Sequence, residues 1–177
     1  MKLYVIRHGE VEANVKELLN GRDDAVLTTK GISQVKHASE LLEDIHIDVI
    51  ICSPLRRTVE TAKIINKKHI PIIYDNRILE RDTRKMMYHR AQDVDFNYFY
   101  NLDDNIIYED CEGFKSVLMR VIDFIEDIKK QYKDKSVLVV THGDVCIAIY
   151  CYLNHINDVS KIIQFKQDNA EILSYNI

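Results

Sequence analysis

The stretch KLYVIRHG at residues 2–9 has a counterpart near the other end of the chain, SVLVVTHG at residues 136–143. Each is a short, apolar, β-type run that stops at a His-Gly pair. In a parallel sheet both histidines lie just beyond the carboxyl ends of strands, where open α/β folds bind their ligands. The glycine after each histidine, Gly9 or Gly143, permits a sharp turn and close approach of the backbone to a ligand. The two stretches therefore predict a ligand site at one edge of a parallel sheet.

Strand-like and helix-like segments alternate along the rest of the chain. Further strands are predicted at Ile47–Ile51, at Ile70–Tyr74 and, as an edge strand, at Glu171–Tyr175. Helices are predicted from a Thr28-Thr29 cap to about Asp44, from Ser53-Pro54 to about Lys68, over Phe114–Tyr132, and from His142-Gly143 to about Leu153. The alternation predicts a single α/β domain over residues 1–177. Its expected architecture is a three-layer α/β/α sandwich with a mainly parallel central sheet and one antiparallel edge strand.

Two of the predicted helices have an apolar face that we expect to pack on the sheet. In the first helix this face consists of Ile32, Val35, Ala38, Leu41, Leu42 and Ile45. In the Phe114–Tyr132 helix it consists of Phe114, Val117, Val121, Phe124, Ile125 and Ile128.

The alternation fails between Arg81 and Cys111, where six tyrosines and phenylalanines lie among charged and amide residues. We interpret about 83–110 as a long, weakly periodic and partly helical insertion. It is either a pair of surface helices or a lid over the substrate.

The composition limits the possible partners. The 177 residues are 46% hydrophobic and 29% charged, with a formal net charge of −4, which is typical of a globular protein. This charge gives no electrostatic reason to expect nucleic acid or an anionic membrane as partner. The sequence has neither an apolar run as long as a membrane span nor a recognisable secretory signal. We therefore predict no nucleic-acid and no membrane partner, and leave monomer and homodimer open.

The four cysteines, Cys52, Cys111, Cys146 and Cys151, form no CxxC pair, and three of them lie in apolar runs. They predict buried, reduced thiols in a cytoplasmic protein. His142 and Cys146 have the i, i+4 spacing of a helical metal pair, but no further cysteine or histidine stands at ligand spacing. We predict no metal site and no cofactor.

The segment SPLRRTVET at 53–61 places two arginines in the first turn of a predicted helix, directly after a strand. One interpretation is a basic, solvated first turn. Acidic residues, however, suit the positive end of a helix dipole, and two arginines oppose it. A bound anion near this sheet edge would explain them.

Five blocks of the chain resemble the histidine phosphatase superfamily, the phosphoglycerate mutase-like proteins. They are RHGEVEAN at 7–14, NGRDDAVLTTKGISQ at 20–34, SPLRRTVETA at 53–62, LERD at 79–82 and VVTHGD at 139–144. The order of the blocks is that of the family, and the match covers most of the chain except 83–110 and the C-terminal tail.

The resemblance implies a role for each matched residue. His8 matches the family's nucleophile, which forms a covalent phosphohistidine. Arg7, Arg57 and His142 match the residues around the transferred phosphoryl group, whose charge they offset as a metal does in other enzymes. The family spacing selects Arg57, and we expect Arg56 to face solvent.

Further residues match the family's substrate contacts and its acid. Asn14 matches a phosphate-contacting amide, and Asn20-Gly21 a loop whose backbone reaches the substrate. Glu80 matches the proton donor, and Asp82 is the alternative acid. The predicted site thus comprises catalytic Arg7, His8, Arg57, Glu80 and His142, with Asn14, Asn20, Gly21 and Gly143 binding the substrate.

The implied chemistry sets physical requirements. A neutral imidazole is a competent nucleophile when an acceptor holds its other ring nitrogen and fixes the tautomer. The acid must be neutral near working pH, so burial and a nearby phosphate should raise the pKa of Glu80. Arg81 would lower that pKa if it pointed inward.

Three functions are compatible with these residues. The preferred one is a metal-independent phosphomonoester phosphatase acting on a small phosphorylated metabolite. A mutase of the phosphoglycerate type is the alternative, although such family members are typically longer and close over the site. A catalytically idle phospholigand-binding protein would need the arginines but neither nucleophile nor acid.

The chain also departs from the family. A Gly-x-Trp-Glu-Gly-like stretch often follows the glutamate, whereas this chain reads DTRKMMYHRAQ at 82–92. Thr58 and Glu60 replace Ala and Gln, and we expect both near the helix surface. The residues that match the family's phosphate site are retained. The segment that would contact the rest of the substrate has diverged, so the substrate's identity is not predicted.

Overall fold

A computed structural model describes residues 1–103 and 106–177. These residues form a sheet of five strands in the order β3-β2-β4-β1-β5. The strands are β1 (Lys2–Arg7), β2 (Val49–Cys52), β3 (Ile72–Tyr74), β4 (Ser136–Thr141) and β5 (Ile172–Asn176). All neighbours pair in parallel except β5, which lies antiparallel to β1 at the edge. The predicted mainly parallel sheet with one antiparallel edge strand is confirmed.

Strands β1 and β4 lie side by side in the sheet, with apolar side chains buried on both faces. Leu3 and Val139 belong to the core on one face, and Ile6 and Val140 to the core on the other. Parallel strands covered on both faces are apolar throughout, which is why neither run alternates with polar residues.

Helices cover both faces of the sheet. They are α1 (Glu12–Val15), α2 (Thr29–Leu41), α3 (Arg56–Ile65), α4 (Phe96–Phe99), α5 (Phe114–Gln131), α6 (Gly143–Leu153) and α7 (Val159–Ile162). Side chains of α2 and α3 fill one core, and those of α5 and α6 fill the other. The three-layer sandwich is confirmed, and so is the whole predicted apolar face of α5, because all six residues are buried.

Helix α2 begins as predicted, since the Thr28 hydroxyl accepts the Gly31 N–H at 2.9 Å. The predicted face was wrong at Ile32 and Leu41, whose exposed fractions are 37% and 61%. Gly31 is buried instead, because α2 lies so close to the loop after β1 that a Cβ there would stand 2.2 Å from the Glu10 carbonyl oxygen. The helix ends at Leu41, earlier than expected.

Helix α3 begins at Arg56, with Leu55 as its N-cap, so the predicted start at Ser53-Pro54 was wrong. The Ser53 hydroxyl is bound to His142 Nε2 at 2.7 Å and therefore does not cap the helix. Thr58 is buried, contrary to expectation, and its hydroxyl donates to the Ser53 carbonyl at 2.9 Å.

The 83–110 segment is partly helical, as predicted. It contains the 3₁₀ turns Arg84–Met86 and Ala91–Asp93 and the helix α4; residues 104 and 105 of this segment lie outside the described residues. Phe99 and Tyr100 are buried in the α5–α6 core, so the segment is more than a surface helix pair.

Two further expectations concern the chain as a whole. All four cysteines are buried and free, as predicted. In the parts of the chain that the structure describes, no helix combines the length and apolarity needed to cross a membrane.

Candidate active site

The parallel pairing of β1 with β4 brings the two predicted histidines together. Arg7 lies opposite Thr141 in the register, so His8 and His142 follow at the same level of the sheet. Their ring centroids are 5.4 Å apart and both side chains are buried. The His-Gly repeat in the sequence is therefore one site in space.

The surroundings of His8 fix its tautomer. Its Nδ1 lies 2.8 Å from the Gly9 carbonyl oxygen, which can only accept, so Nδ1 carries the proton. The lone pair of Nε2 then accepts from Arg57 Nε at 3.2 Å. Burial, followed by the charges of Arg57 and Arg7, holds the His8 pKa well below its ordinary value. His8 is a neutral imidazole with its lone pair at Nε2.

Arg57 is fully buried at the start of α3. Besides its bond to His8, its guanidinium donates to Asp23 Oδ1 at 3.0 Å and to the Gly21 carbonyl at 2.7 Å. Arg56, by contrast, has a 53% exposed side chain paired with Glu60 Oε1 at 3.1 Å. The structure thus separates the two arginines as the spacing predicted, with Arg57 against His8 and Arg56 at the surface.

Arg7 and His142 each have a buried nitrogen that lacks a partner among the described residues: Arg7 Nε and His142 Nδ1. The remainder of each side chain is anchored. Arg7 Nη1 donates to the Gln167 carbonyl at 2.9 Å, and His142 Nε2 lies 2.7 Å from Ser53 Oγ. In the tautomer in which Ser53 Oγ donates to Nε2, His142 Nδ1 carries a proton. Buried donors are normally satisfied, so two open ones beside His8 indicate an anion site.

Glu80 is the carboxyl group of the site. Its Oε1 accepts the backbone N–H of Arg81 at 3.0 Å and that of Asp144 at 3.3 Å. Burial and the charge of Asp144 raise the Glu80 pKa to about 7, against the opposing charge of Arg57. The pKa therefore meets the requirement for a proton donor near neutrality.

Two neighbours of Glu80, Arg81 and Asp82, entered the sequence-based expectations for the acid. Arg81 does not direct its guanidinium at Glu80, because that group lies 3.7 Å from the centre of the Phe99 ring. Asp82 accepts the Arg84 N–H at 3.1 Å and is not among the cavity-lining residues of the described chain. The structure thus places Glu80 on the cavity and Asp82 outside it.

A cavity of about 310 Å³ opens in front of His8. Seven of the predicted residues line it: Arg7, His8, Asn14, Asn20, Gly21, Glu80 and Gly143. Arg57 and His142 stand behind it, against His8. All nine predicted residues are thus collected at one place.

The loop carrying Asn20 and Gly21 has its shape fixed locally. Gly21 has a φ of +43°, and a Cβ there would lie 2.4 Å from Thr83 Oγ1, so only glycine fits. With its side-chain nitrogen turned to face Asp23, the Asn20 amide donates to Asp23 Oδ1 at 2.8 Å. On the opposite side, Asn14 Oδ1 accepts from Asn169 Nδ2 at 3.2 Å.

Phe96, Phe99 and Tyr100 of the 83–110 segment line the cavity, in agreement with the lid alternative, whereas sequence reasoning missed the lining residues Asp144, Ile147, Phe165, Lys166 and Gln167. Gln167 bonds through its side chain to the Val5 carbonyl at 3.1 Å and the Glu171 carbonyl at 2.8 Å. These residues come from the insertion, from α6 and from the tail. Only Asp144 stood in a family-like block, VVTHGD, where it was given no role.

Comparison with known proteins gave consistent matches. Residues 3–177 match the family model described as histidine phosphatase superfamily (branch 1). Phosphoserine phosphatase 1 of Hydrogenobacter thermophilus is 33% identical over 184 residues, which cover 100% of this chain and 85% of that protein. A 2,3-bisphosphoglycerate-dependent phosphoglycerate mutase of Rhodococcus jostii is 32% identical over 193 residues, covering 88% of this chain and 77% of the mutase. The crystal structure of the alpha-ribazole phosphatase from Shigella flexneri superposes with a TM-score of 0.85 at 26% identity, covering 100% of this chain and 91% of that one.

Proposed function

The chain belongs to the histidine phosphatase superfamily (branch 1) and is a phosphatase, and we propose that it hydrolyses a small phosphorylated metabolite through a phosphohistidine on His8. The observation that carries the proposal is the set of buried nitrogens on the residues next to His8. Arg57 Nε points at this atom from 3.2 Å, and Arg7 Nε and His142 Nδ1 are buried without partners in the described chain. A phosphoryl group in front of Nε2 would satisfy all three.

In the first step, His8 Nε2 attacks phosphorus and the bond to the leaving oxygen breaks. Glu80 gives its proton to that oxygen, so the product leaves as a neutral alcohol and Glu80 becomes a carboxylate. The arginines and His142 donate to the equatorial oxygens, where charge is spread in the transition state. Arg57 Nε turns from the His8 lone pair to a phosphoryl oxygen as the N–P bond forms.

In the second step, water attacks the phosphohistidine and the N–P bond breaks. The Glu80 carboxylate takes the proton of the attacking water, which restores the acid for the next cycle. His8 returns to its neutral form, with Nδ1–H still donating to Gly9, and inorganic phosphate leaves. No proton or charge remains unaccounted for.

The phosphoryl charge is offset by Arg7 and Arg57, so the proposal needs no metal ion and no cofactor. The cavity of about 310 Å³ suits a small metabolite. The four buried free cysteines suit a reducing compartment, and the proposal therefore places the enzyme in the cytoplasm.

The test is hydrolysis of p-nitrophenyl phosphate in the presence of EDTA. We expect turnover that EDTA does not change, and its loss in His8→Ala. The control is His37→Ala, which removes an exposed histidine that contacts Glu40 and should retain wild-type turnover. Sensitivity to EDTA would contradict the metal-free mechanism, and activity in folded His8→Ala would contradict the nucleophile.

The second candidate is a mutase, which the similarity to the Rhodococcus enzyme supports. A mutase would interconvert phosphoglycerates and be stimulated by bisphosphoglycerate. Activity of that kind exceeding hydrolysis would replace the phosphatase proposal. Retained phosphate binding with neither activity would indicate an idle binding protein.

A further inference from the structure

A second carboxylate, that of Asp144, lines the same cavity as Glu80. Its side chain is 14% exposed, and its backbone N–H donates to Glu80 Oε1 at 3.3 Å. A negative charge opposes binding of a phosphomonoester, so its presence in this cavity calls for a compensating role. The proposed reaction uses Glu80 but gives Asp144 no part.

We propose that Asp144 is a positioning residue that orients Glu80 and keeps the proton on it until the leaving oxygen takes it. This inference rests on the proposed function. It gives the negative charge of Asp144 the role of holding the proton on Glu80.

Two neighbours contact the Asp144 carboxylate and fix its position in the cavity. The Tyr100 hydroxyl donates to Oδ1 at 2.8 Å. Arg81 Nη1 lies 3.9 Å from Oδ2, and the Arg81 side chain is only 1% exposed. Tyr100 belongs to the 83–110 segment, which thereby contributes to the chemistry of the site.

The neighbours of Glu80 favour its neutral form. Both N–H donors bind Oε1, which leaves Oε2 to carry the proton. Burial and the charge of Asp144 raise the Glu80 pKa to about 7, and the charges of Arg57 and Arg7 oppose that rise.

The other arginines near the Glu80 carboxyl donate to backbone carbonyls. Arg22 Nε donates to the Glu80 carbonyl at 2.8 Å and Arg120 Nη2 at 3.4 Å. Arg81 Nε donates to the Glu112 carbonyl at 2.6 Å. Asp144 is therefore the anionic side chain that raises the pKa of the Glu80 carboxyl.

The test compares the pH dependence of kcat/KM for Asp144→Asn and the wild type, with glycerol phosphate as substrate. Its alkoxide is a poor leaving group, so phosphorylation of the enzyme depends on the acid. The alkaline limb of this profile is the range in which kcat/KM falls because Glu80 loses its proton. We expect this limb to move to lower pH by about one unit. Because the protonated fraction of Glu80 falls accordingly, kcat/KM at pH 8 should drop about tenfold, with less than a twofold change near pH 5.5.

The matched control is Asp168→Asn, which removes an exposed carboxylate paired with Lys166 at 2.8 Å and should leave the limb in place. Asp144→Ala provides a second test. It also removes the negative charge beside Glu80, so the limb should again move down.

An unchanged limb in folded Asp144→Asn, or an equal loss at every pH, would overturn the inference. If Asp144→Asn fails to fold, a limb that Asp144→Ala leaves in place or moves up overturns it. Failure of the proposed function has a different signature. In that case Glu80→Gln would retain wild-type kcat/KM on glycerol phosphate, whatever Asp144→Asn does.

Discussion

Replacing Glu80 with Gln removes the proposed acid while keeping the shape and the hydrogen-bond acceptor at Oε1. General acid catalysis contributes roughly 10²–10⁴-fold to a rate. We therefore expect kcat/KM for glycerol phosphate to fall by about that factor. For p-nitrophenyl phosphate the fall should be much smaller, because nitrophenolate leaves without a proton and kcat/KM reports the steps through enzyme phosphorylation.

The raised pKa of Glu80 gives this prediction a pH dependence. With a pKa of about 7, some 90% of the wild-type enzyme carries the proton at pH 6 and some 10% at pH 8. The loss caused by Glu80→Gln on glycerol phosphate should accordingly be about tenfold larger at pH 6 than at pH 8.

The same shift predicts a change in stability. A carboxyl whose pKa rises on folding binds its proton more tightly in the folded state, so wild-type stability falls as pH increases from the unfolded pKa towards the folded one. A rise from 4.5 to about 7 corresponds to about 3 kcal/mol. Glu80→Gln should lack this loss, and its Tm relative to wild type should rise between pH 5 and pH 8.

The assay is a pair of pH profiles of kcat/KM, one for each substrate, together with melting curves at pH 5 and pH 8. Equal losses on both substrates would refute the assignment of Glu80 as the acid for the leaving group. A wild-type alkaline limb that persists in Glu80→Gln with glycerol phosphate would show that another group donates the proton.

Three further predictions concern the groups around this reaction. Arg57→Lys removes the buried fork that binds His8 and the Gly21 carbonyl, and kcat/KM should fall by roughly 10²-fold or more while inhibition by inorganic phosphate weakens; unchanged inhibition would contradict the role of Arg57. Gln167→Ala leaves two carbonyls without their donor and frees the loop that anchors Arg7. We therefore expect the free energy of unfolding, measured with urea, to fall by about 1–3 kcal/mol and KM to rise. A lower stability with an unchanged KM would contradict the link to Arg7. Burial alone would raise the Glu112 pKa, but the hydrogen bond and charge of Arg120 hold this pKa below its ordinary value. The Glu112 carboxylate therefore stabilises the folded protein at pH values above the unfolded pKa. This stabilisation is lost as the pH falls through the folded pKa. Glu112→Gln should accordingly be less stable than wild type at pH 7 and nearly equal to it at pH 3, and an equal deficit at both pH values would refute this.

Much of the fold and of the phosphate end of the site could be predicted from local sequence. The apolar runs of β1 and β4 and the spacing of α5 are properties of short stretches, and the His-Gly pairs follow directly from two of them. The distinction between Arg56 and Arg57 came from the resemblance to the family, whose motif spacing selects Arg57.

Tertiary contacts determined what local patterns could not predict. Ser53 has the sequence of a helix cap, but its hydroxyl bonds to His142, 89 positions away in the chain. Ile32 has helical spacing, yet the close approach of α2 to Glu10 buries Gly31 instead. Tyr100 and Gln167 stand in segments without clear periodicity, and they reach the cavity only because the sheet and α6 bring them there.

The central claim is that the phosphoryl group passes through His8, and the most direct measurement is to trap it there. The enzyme is mixed with a ³²P-labelled phosphomonoester, quenched in alkali within one turnover, digested and sequenced by mass spectrometry. Phosphohistidine withstands alkali and is lost in acid. We predict an acid-labile label on the peptide that contains His8, absent from His8→Ala and present in His37→Ala. A label on another residue, or steady turnover with no labelled enzyme at any time, would contradict the account.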